Sequence, residues 1–160
     1  MKKTVIFALT ILTLIFSGAS YADPALPVQP SPYDETAIAS VSINSALLEA
    51  KATNKDVLLI FGANWCKDCV ELDRSLKAQS AALMKKKFVV VKVDVGNFDK
   101  NLDIANAYGN PIKKGIPAAV LMKPDRTVLF ATHGGELADA RHMGDQGIYD
   151  FFNTIAEKHY

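Results

Sequence analysis

The chain reads as an α/β protein with a mixed central β-sheet flanked by helices on both faces. Three observations predict this. Segments with helical spacing alternate with short β-rich runs along most of the 160 residues. The run Val57–Phe61 is unbroken in apolar residues, as expected for a strand covered on both sides. Two strands near the C-terminus are joined by a single tight turn, which adds an antiparallel pair to the alternating pattern.

In chain order, residues 1–22 read as a signal peptide rather than as part of the fold. Lys2 and Lys3 precede an apolar run from Val5 to Phe16, and Ser20-Tyr21-Ala22 supplies a cleavage site after Ala22. The run is shorter than the roughly 20 residues of a membrane span, so stable membrane insertion after cleavage is not expected. The expected location is the periplasm, or otherwise outside the cell. Residues 23–42 follow as a proline-rich linker and N-terminal extension; Pro24, Pro27, Pro30 and Pro32 make Asp23–Asp34 an extended, solvated stretch.

Ile43, Ala46, Leu47 and Ala50 share one helical face, and Asn54 offers a stop. Val57–Phe61 is the first strand. A helix is expected from near Cys66 into Lys85-Lys86-Lys87, then a strand over Phe88–Val93 and a short helix over Leu102–Tyr108. Ala118–Met122 and Thr127–Thr132 are strands joined through Lys123-Pro124-Asp125-Arg126, a type I turn sequence. Ile148, Phe151, Phe152 and Ile155 mark the last helix.

Charge excludes some functions. There are 18 Lys and Arg against 17 Asp and Glu, and loss of Lys2 and Lys3 with the leader turns the balance slightly acidic. Nothing there points to nucleic-acid binding or a polybasic membrane contact.

The only two cysteines, Cys66 and Cys69, lie in Trp65-Cys66-Lys67-Asp68-Cys69. As a structural staple the pair is poorly placed, because it closes a very short loop within residues that a helix already holds together. As a metal site it lacks a second Cys-x-x-Cys, and His133, His142 and His159 are not in ligand spacing. No metal and no cofactor is expected. A redox couple fits best. Cys66 falls where strand gives way to helix, near unpaired N–H groups and the positive end of the helix dipole, which favours a thiolate. Cys69 shares a stripe with Leu72, Leu76 and Leu83 and is expected to be the more buried. That makes Cys66 the exposed nucleophile and Cys69 the sheltered resolving thiol.

Trp65-Cys66-Lys67-Asp68-Cys69 after an apolar strand resembles a thioredoxin-family active site, and Gly115-Ile116-Pro117 before the strand at Ala118 resembles that family's cis-proline loop. The resemblance covers residues 43–160 and implies the thioredoxin fold. It further implies that Pro117 is cis and packs opposite the cysteines, that the Ile116 backbone pairs with an extended substrate segment, and that Trp65 shields the couple. A trans proline that merely starts a strand is the plainer alternative.

The chain departs from the family pattern in several places. The buried acid expected six residues before the first cysteine is replaced by Ile60. A proton acceptor for Cys69 has to come from Glu71, Asp73, a neutral Lys67 or water. Lys67 should favour the Cys66 thiolate and Asp68 oppose it, so both are candidate tuning residues. Arg74 stands where many relatives have a helix-kinking proline. Residues 134–147 are additional: either an ordinary surface insertion, or a segment in which Gly134 or Gly135 borders the substrate groove and His133, Arg141 or His142 contributes to partner choice. Asp99-x-Asn101-x-Asp103 lacks the glycine and glutamate of a calcium loop and reads as helix capping.

The function expected from these residues is that of an exported thiol–disulfide oxidoreductase that reduces or isomerises disulfides in envelope proteins. Its partners would be disulfide-containing proteins and a redox protein that resets the couple, and it would act as a monomer. The alternative is a non-catalytic module of the same fold that binds peptide or metal.

Overall fold

The structure is a computed structural model describing residues 31–159. Residues 1–22, read as a signal peptide, and residues 23–30, read as part of a linker, lie outside the described residues. Strand β1 (Asp56–Gly62) is buried along its whole length, as its unbroken apolar run requires. It pairs in parallel with β2 (Phe88–Asp94) and antiparallel with β3 (Ala118–Met122), and β3 pairs antiparallel with β4 (Val128–Ala131). The sheet order is β2-β1-β3-β4. The β3–β4 turn closes where expected, with Arg126 N–H donating to the Lys123 carbonyl.

Among the described residues five α-helices accompany the sheet: α1 (Ala39–Thr53), α2 (Lys67–Lys77), α3 (Ala81–Lys87), α4 (Leu102–Ala107) and α5 (Ala140–Glu157). Alternate strand residues divide the core between two faces. Val57, Leu59, Phe61 and Val120 pack with Ile43, Leu47 and Ala50 of α1. Leu58, Ile60 and Leu121 pack with Leu72 and Leu76 of α2 and Ile148 and Phe152 of α5.

Four sequence expectations are corrected. The first helix begins at Ala39, four residues before Ile43, with Ala39 itself buried; it ends as expected at Asn54, which takes the left-handed conformation asparagine tolerates. Tyr33, at the end of the stretch read as solvated, is only 2% exposed. The single helix expected from Cys66 to Lys87 is two. Ala78 leaves helical geometry, and Ser80 N–H reaches back to the Ser75 carbonyl, a closing turn that brings Leu83 and Met84 onto the same core face. The last helix starts at Ala140 within the additional segment and is broken at Gly144, whose φ of 66° suits glycine.

Candidate active site

Cys66 and Cys69 are joined as a disulfide at the end of β1, with Cα atoms 5.2 Å apart. Cys66 is the N-cap of α2, and its Sγ accepts the Cys69 N–H at 3.1 Å. A strand that ends at Gly62 and a helix that begins at Lys67 therefore leave one orphan donor of the first turn pointing at the sulfur. The same Sγ lies 3.6 Å from the Ile116 carbonyl oxygen. The Ile116–Pro117 bond is cis, and both residues are buried. Residues 50 positions apart thus meet in one place.

Cys66 is 6% exposed and Cys69 0%. The order agrees with the sequence expectation, but Cys66 is a recessed sulfur rather than an open one. Trp65, 56% exposed, turns toward the β2–α4 loop. Its Nε1 donates to the Gly96 carbonyl at 2.8 Å and its ring meets that of Phe98 at 6.1 Å. Lys67 is exposed.

Asp68 is held from outside its own helix. Arg141 donates to its Oδ1 through the backbone N–H at 3.0 Å and through Nε at 3.1 Å. Partial burial works against the charged carboxylate, but these two bonds and the guanidinium charge outweigh it and hold Asp68 below the usual carboxylate range. Residues 134–147 are thus fastened to the active-site helix. Arg74 reinforces the attachment, reaching Glu71 and Asp145 at 2.6 Å each, and Gln79 donates to Gln146. His142 pairs with Asp139, and Glu136 accepts the His133 and Gly134 N–H groups. Gly135 lies against the loop leading to Ile116: a Cβ there would come 2.9 Å from the Lys114 carbonyl oxygen.

The two carboxylates named as proton acceptors separate. Glu71 lies on the outer side of α2, where Arg74 binds it and draws its carboxyl below the usual range. Asp73 is buried, one turn beyond Cys69, and pairs with Lys92 at 3.2 Å and Lys77 at 2.7 Å. Lys92 stands beside Ile60 in the β1–β2 register. Ile60 itself is packed with apolar neighbours, so the acid facing this lysine comes from the helix instead of the strand. Burial pulls Lys92 below the ordinary lysine value, with Asp73 opposing.

Sequence reasoning missed Tyr33, Asn64 and Lys92. Asn64 ties the segment at Tyr33 to the cysteine loop: its Nδ2 donates to the Tyr33 carbonyl at 2.9 Å, and its Oδ1 accepts the Tyr33 N–H at 3.0 Å. Lys92 did carry a signal, as a charged residue inside an otherwise apolar strand. The calcium-like stretch also differs from expectation. Asn101 stands at the N-cap position of α4 but makes no side-chain cap bond; its side chain instead donates to the Asp94 carbonyl at 2.7 Å. Among the described residues no group of three or more His, Cys, Asp and Glu side chains is arranged to hold a metal ion. No helix among them is long and apolar enough to cross a membrane.

Comparisons with known proteins agree with this geometry. A profile of thioredoxin-like proteins matches residues 37–124. A disulphide isomerase from Xylella fastidiosa is 56% identical, with a TM-score of 0.76, over 78% of this chain and 95% of that one. A Thermus thermophilus thioredoxin is 20% identical, with a TM-score of 0.49, over 71% and 81%. The Drosophila melanogaster thioredoxin Deadhead is 27% identical, with a TM-score of 0.44, over 65% and 90%. A search of curated protein sequences found no match. With its Cys-x-x-Cys pair at the start of α2 and a family profile matched over more than half its length, the chain belongs to the thioredoxin-like family.

Proposed function

We propose that this chain is an exported thiol–disulfide oxidoreductase that reduces or isomerises disulfides in envelope proteins. The observation that carries the reading is the placement of Cys66 Sγ, at a helix N-cap with the Cys69 N–H on it and the Ile116 carbonyl beside it. The 56% identity to a disulphide isomerase supports the same reaction class. The leader-like residues 1–22 support export.

In the reduced protein the Cys69 N–H and the α2 dipole stabilise a Cys66 thiolate. That thiolate attacks one sulfur of a substrate disulfide. The substrate S–S bond breaks, a Cys66–substrate disulfide forms, and the other substrate sulfur leaves as a thiolate. Cys69, once deprotonated, attacks Cys66 Sγ and releases the second substrate thiol. Two electrons have then passed to the substrate, and the chain holds the disulfide seen here; a reduced thiol protein must restore it. In isomerisation a substrate thiol, rather than Cys69, displaces Cys66, and no net electrons pass. The Ile116 backbone, beside the reacting sulfur, is the surface on which an extended substrate segment would pair. That pairing reads little sequence, in keeping with substrates defined by their disulfides. Asp73 is the acceptor for the Cys69 proton, being the buried carboxylate on its helix.

The test is the reduction potential of Cys66–Cys69, measured by equilibration with defined thiol buffers. A value near about −270 mV marks a reductant and one near about −120 mV an oxidant, with isomerases between. Cys66→Ser should abolish turnover of a scrambled disulfide protein, and Cys69→Ser should accumulate the mixed disulfide. Full turnover without Cys66 would refute the reading. A reporter fused after Ala22 and recovered only inside the cell would refute export.

A further inference from the structure

The phenol of Tyr33 is buried, and its Oη has no hydrogen-bond partner. A phenylalanine would fill the same space without leaving a donor unsatisfied. The oxygen is also specifically placed. A Cβ added to Gly62 would collide with Tyr33 Oη and would lie 2.9 Å from Cys69 Sγ, so the phenol oxygen and the resolving sulfur converge on one glycine. The Tyr33 backbone is clamped by the Asn64 side chain, and Lys92 Nζ lies 5.6 Å from the centre of its ring. Burial, followed by the charges of Asp73 and Asp94, raises the phenol above the ordinary tyrosine range, so the group keeps its proton and acts as a donor. A disulfide sulfur is a weak acceptor, whereas a thiolate is a strong one.

We infer that Tyr33 is a positioning residue of the redox centre, its hydroxyl donating a hydrogen bond to Cys69 Sγ once the disulfide is open. The inference rests on the redox reading above. When a dithiol reductant attacks Cys66, the Cys66–Cys69 bond breaks and its electron pair departs on Cys69. Tyr33 donates a hydrogen bond to the thiolate so formed and retains its own proton. The reductant's second thiol then displaces Cys66, leaving the reductant as a disulfide and Cys66 as a thiolate. In the forward reaction the same bond holds the Cys69 thiolate within reach of the mixed disulfide. The orphan donor of the oxidised state is thereby satisfied only in the reduced one.

The experiment compares the full chain with Tyr33→Phe in dithiothreitol redox buffers at fixed pH, with the oxidised proteins also melted thermally. The expected result is a shift of the equilibrium about tenfold toward the disulfide in the variant, in keeping with loss of a charge-assisted hydrogen bond. Its oxidised form should melt no lower than the parent. An unchanged equilibrium in a variant that melts normally overturns the inference and leaves the redox reading intact. A parent that fails to exchange with dithiothreitol overturns both. Should the variant not fold, the ring carbon bearing the hydroxyl of Tyr33, followed by NMR in the unmutated protein, should shift on reduction. No shift would overturn the inference.

Discussion

Arg141 grips Asp68 twice, with its backbone N–H and its Nε both on one carboxylate oxygen. One of the two residues between the cysteines is therefore charge-paired by a segment 73 positions away. An uncompensated carboxylate beside Cys66 would oppose its thiolate, so the attachment bears on reactivity as well as on packing.

Arg141→Ala should make the reduced protein less reactive. Alkylation of Cys66 near neutral pH is expected to slow about two- to threefold, and Asp68→Asn to speed it by a similar factor. Because the pair is partly exposed, both effects should shrink in high salt. Equal alkylation rates in all three proteins at low salt would show that Asp68 does not act on Cys66.

Acid should loosen the same attachment. Arg74 holds the carboxyls of Glu71 and Asp145 below their ordinary values, and Arg141 does so for Asp68 against the effect of burial. Their folded values lie below the unfolded ones. The stabilisation is therefore present above about pH 4 and is lost as pH falls through the folded values. The melting temperature should drop between pH 6 and pH 3, and drop less in Arg74→Ala. A variant that follows the parent curve throughout would refute this assignment.

Lys92 and Asp73 form the buried ion pair under α2. Asp73→Asn leaves the ammonium without its closest countercharge and should cost about 3 kcal/mol in urea unfolding. Replacing both, as Asp73→Leu with Lys92→Met, should recover most of that loss, because well-packed apolar groups need no charge partner. A double variant no more stable than Asp73→Asn would mean that the pair does more than offset its own burial.

Gly62 is required for closeness rather than for its backbone angles. A Cβ there meets Tyr33 Oη and approaches Cys69 Sγ, so Gly62→Ala should destabilise the oxidised protein by about 1–3 kcal/mol. A denaturation midpoint equal to the parent's would show that this corner of the core is loosely packed.

By itself, the sequence determined the strand β1, the hairpin β3–β4, the helical stripe carrying Cys69 and Leu72, and the cysteine pair at a strand–helix junction. Each is local: a period of two or 3.6, a four-residue turn, or a motif that occupies one spot in the chain. Gly115-Ile116-Pro117 was legible as well, though only through its resemblance to a known loop. Tertiary structure alone decided what surrounds the cysteines. Tyr33 looked like solvated linker because its neighbours are prolines, yet Asn64, 31 positions on, draws it into the core. The break at Ala78 and the early start of α5 depend on how α2, α3 and α5 share one face of the sheet, and Lys92 is tolerated only because Asp73 arrives from a helix. Such pairings join residues tens of positions apart and leave no periodic trace in the chain, so they emerge only when the elements are packed together.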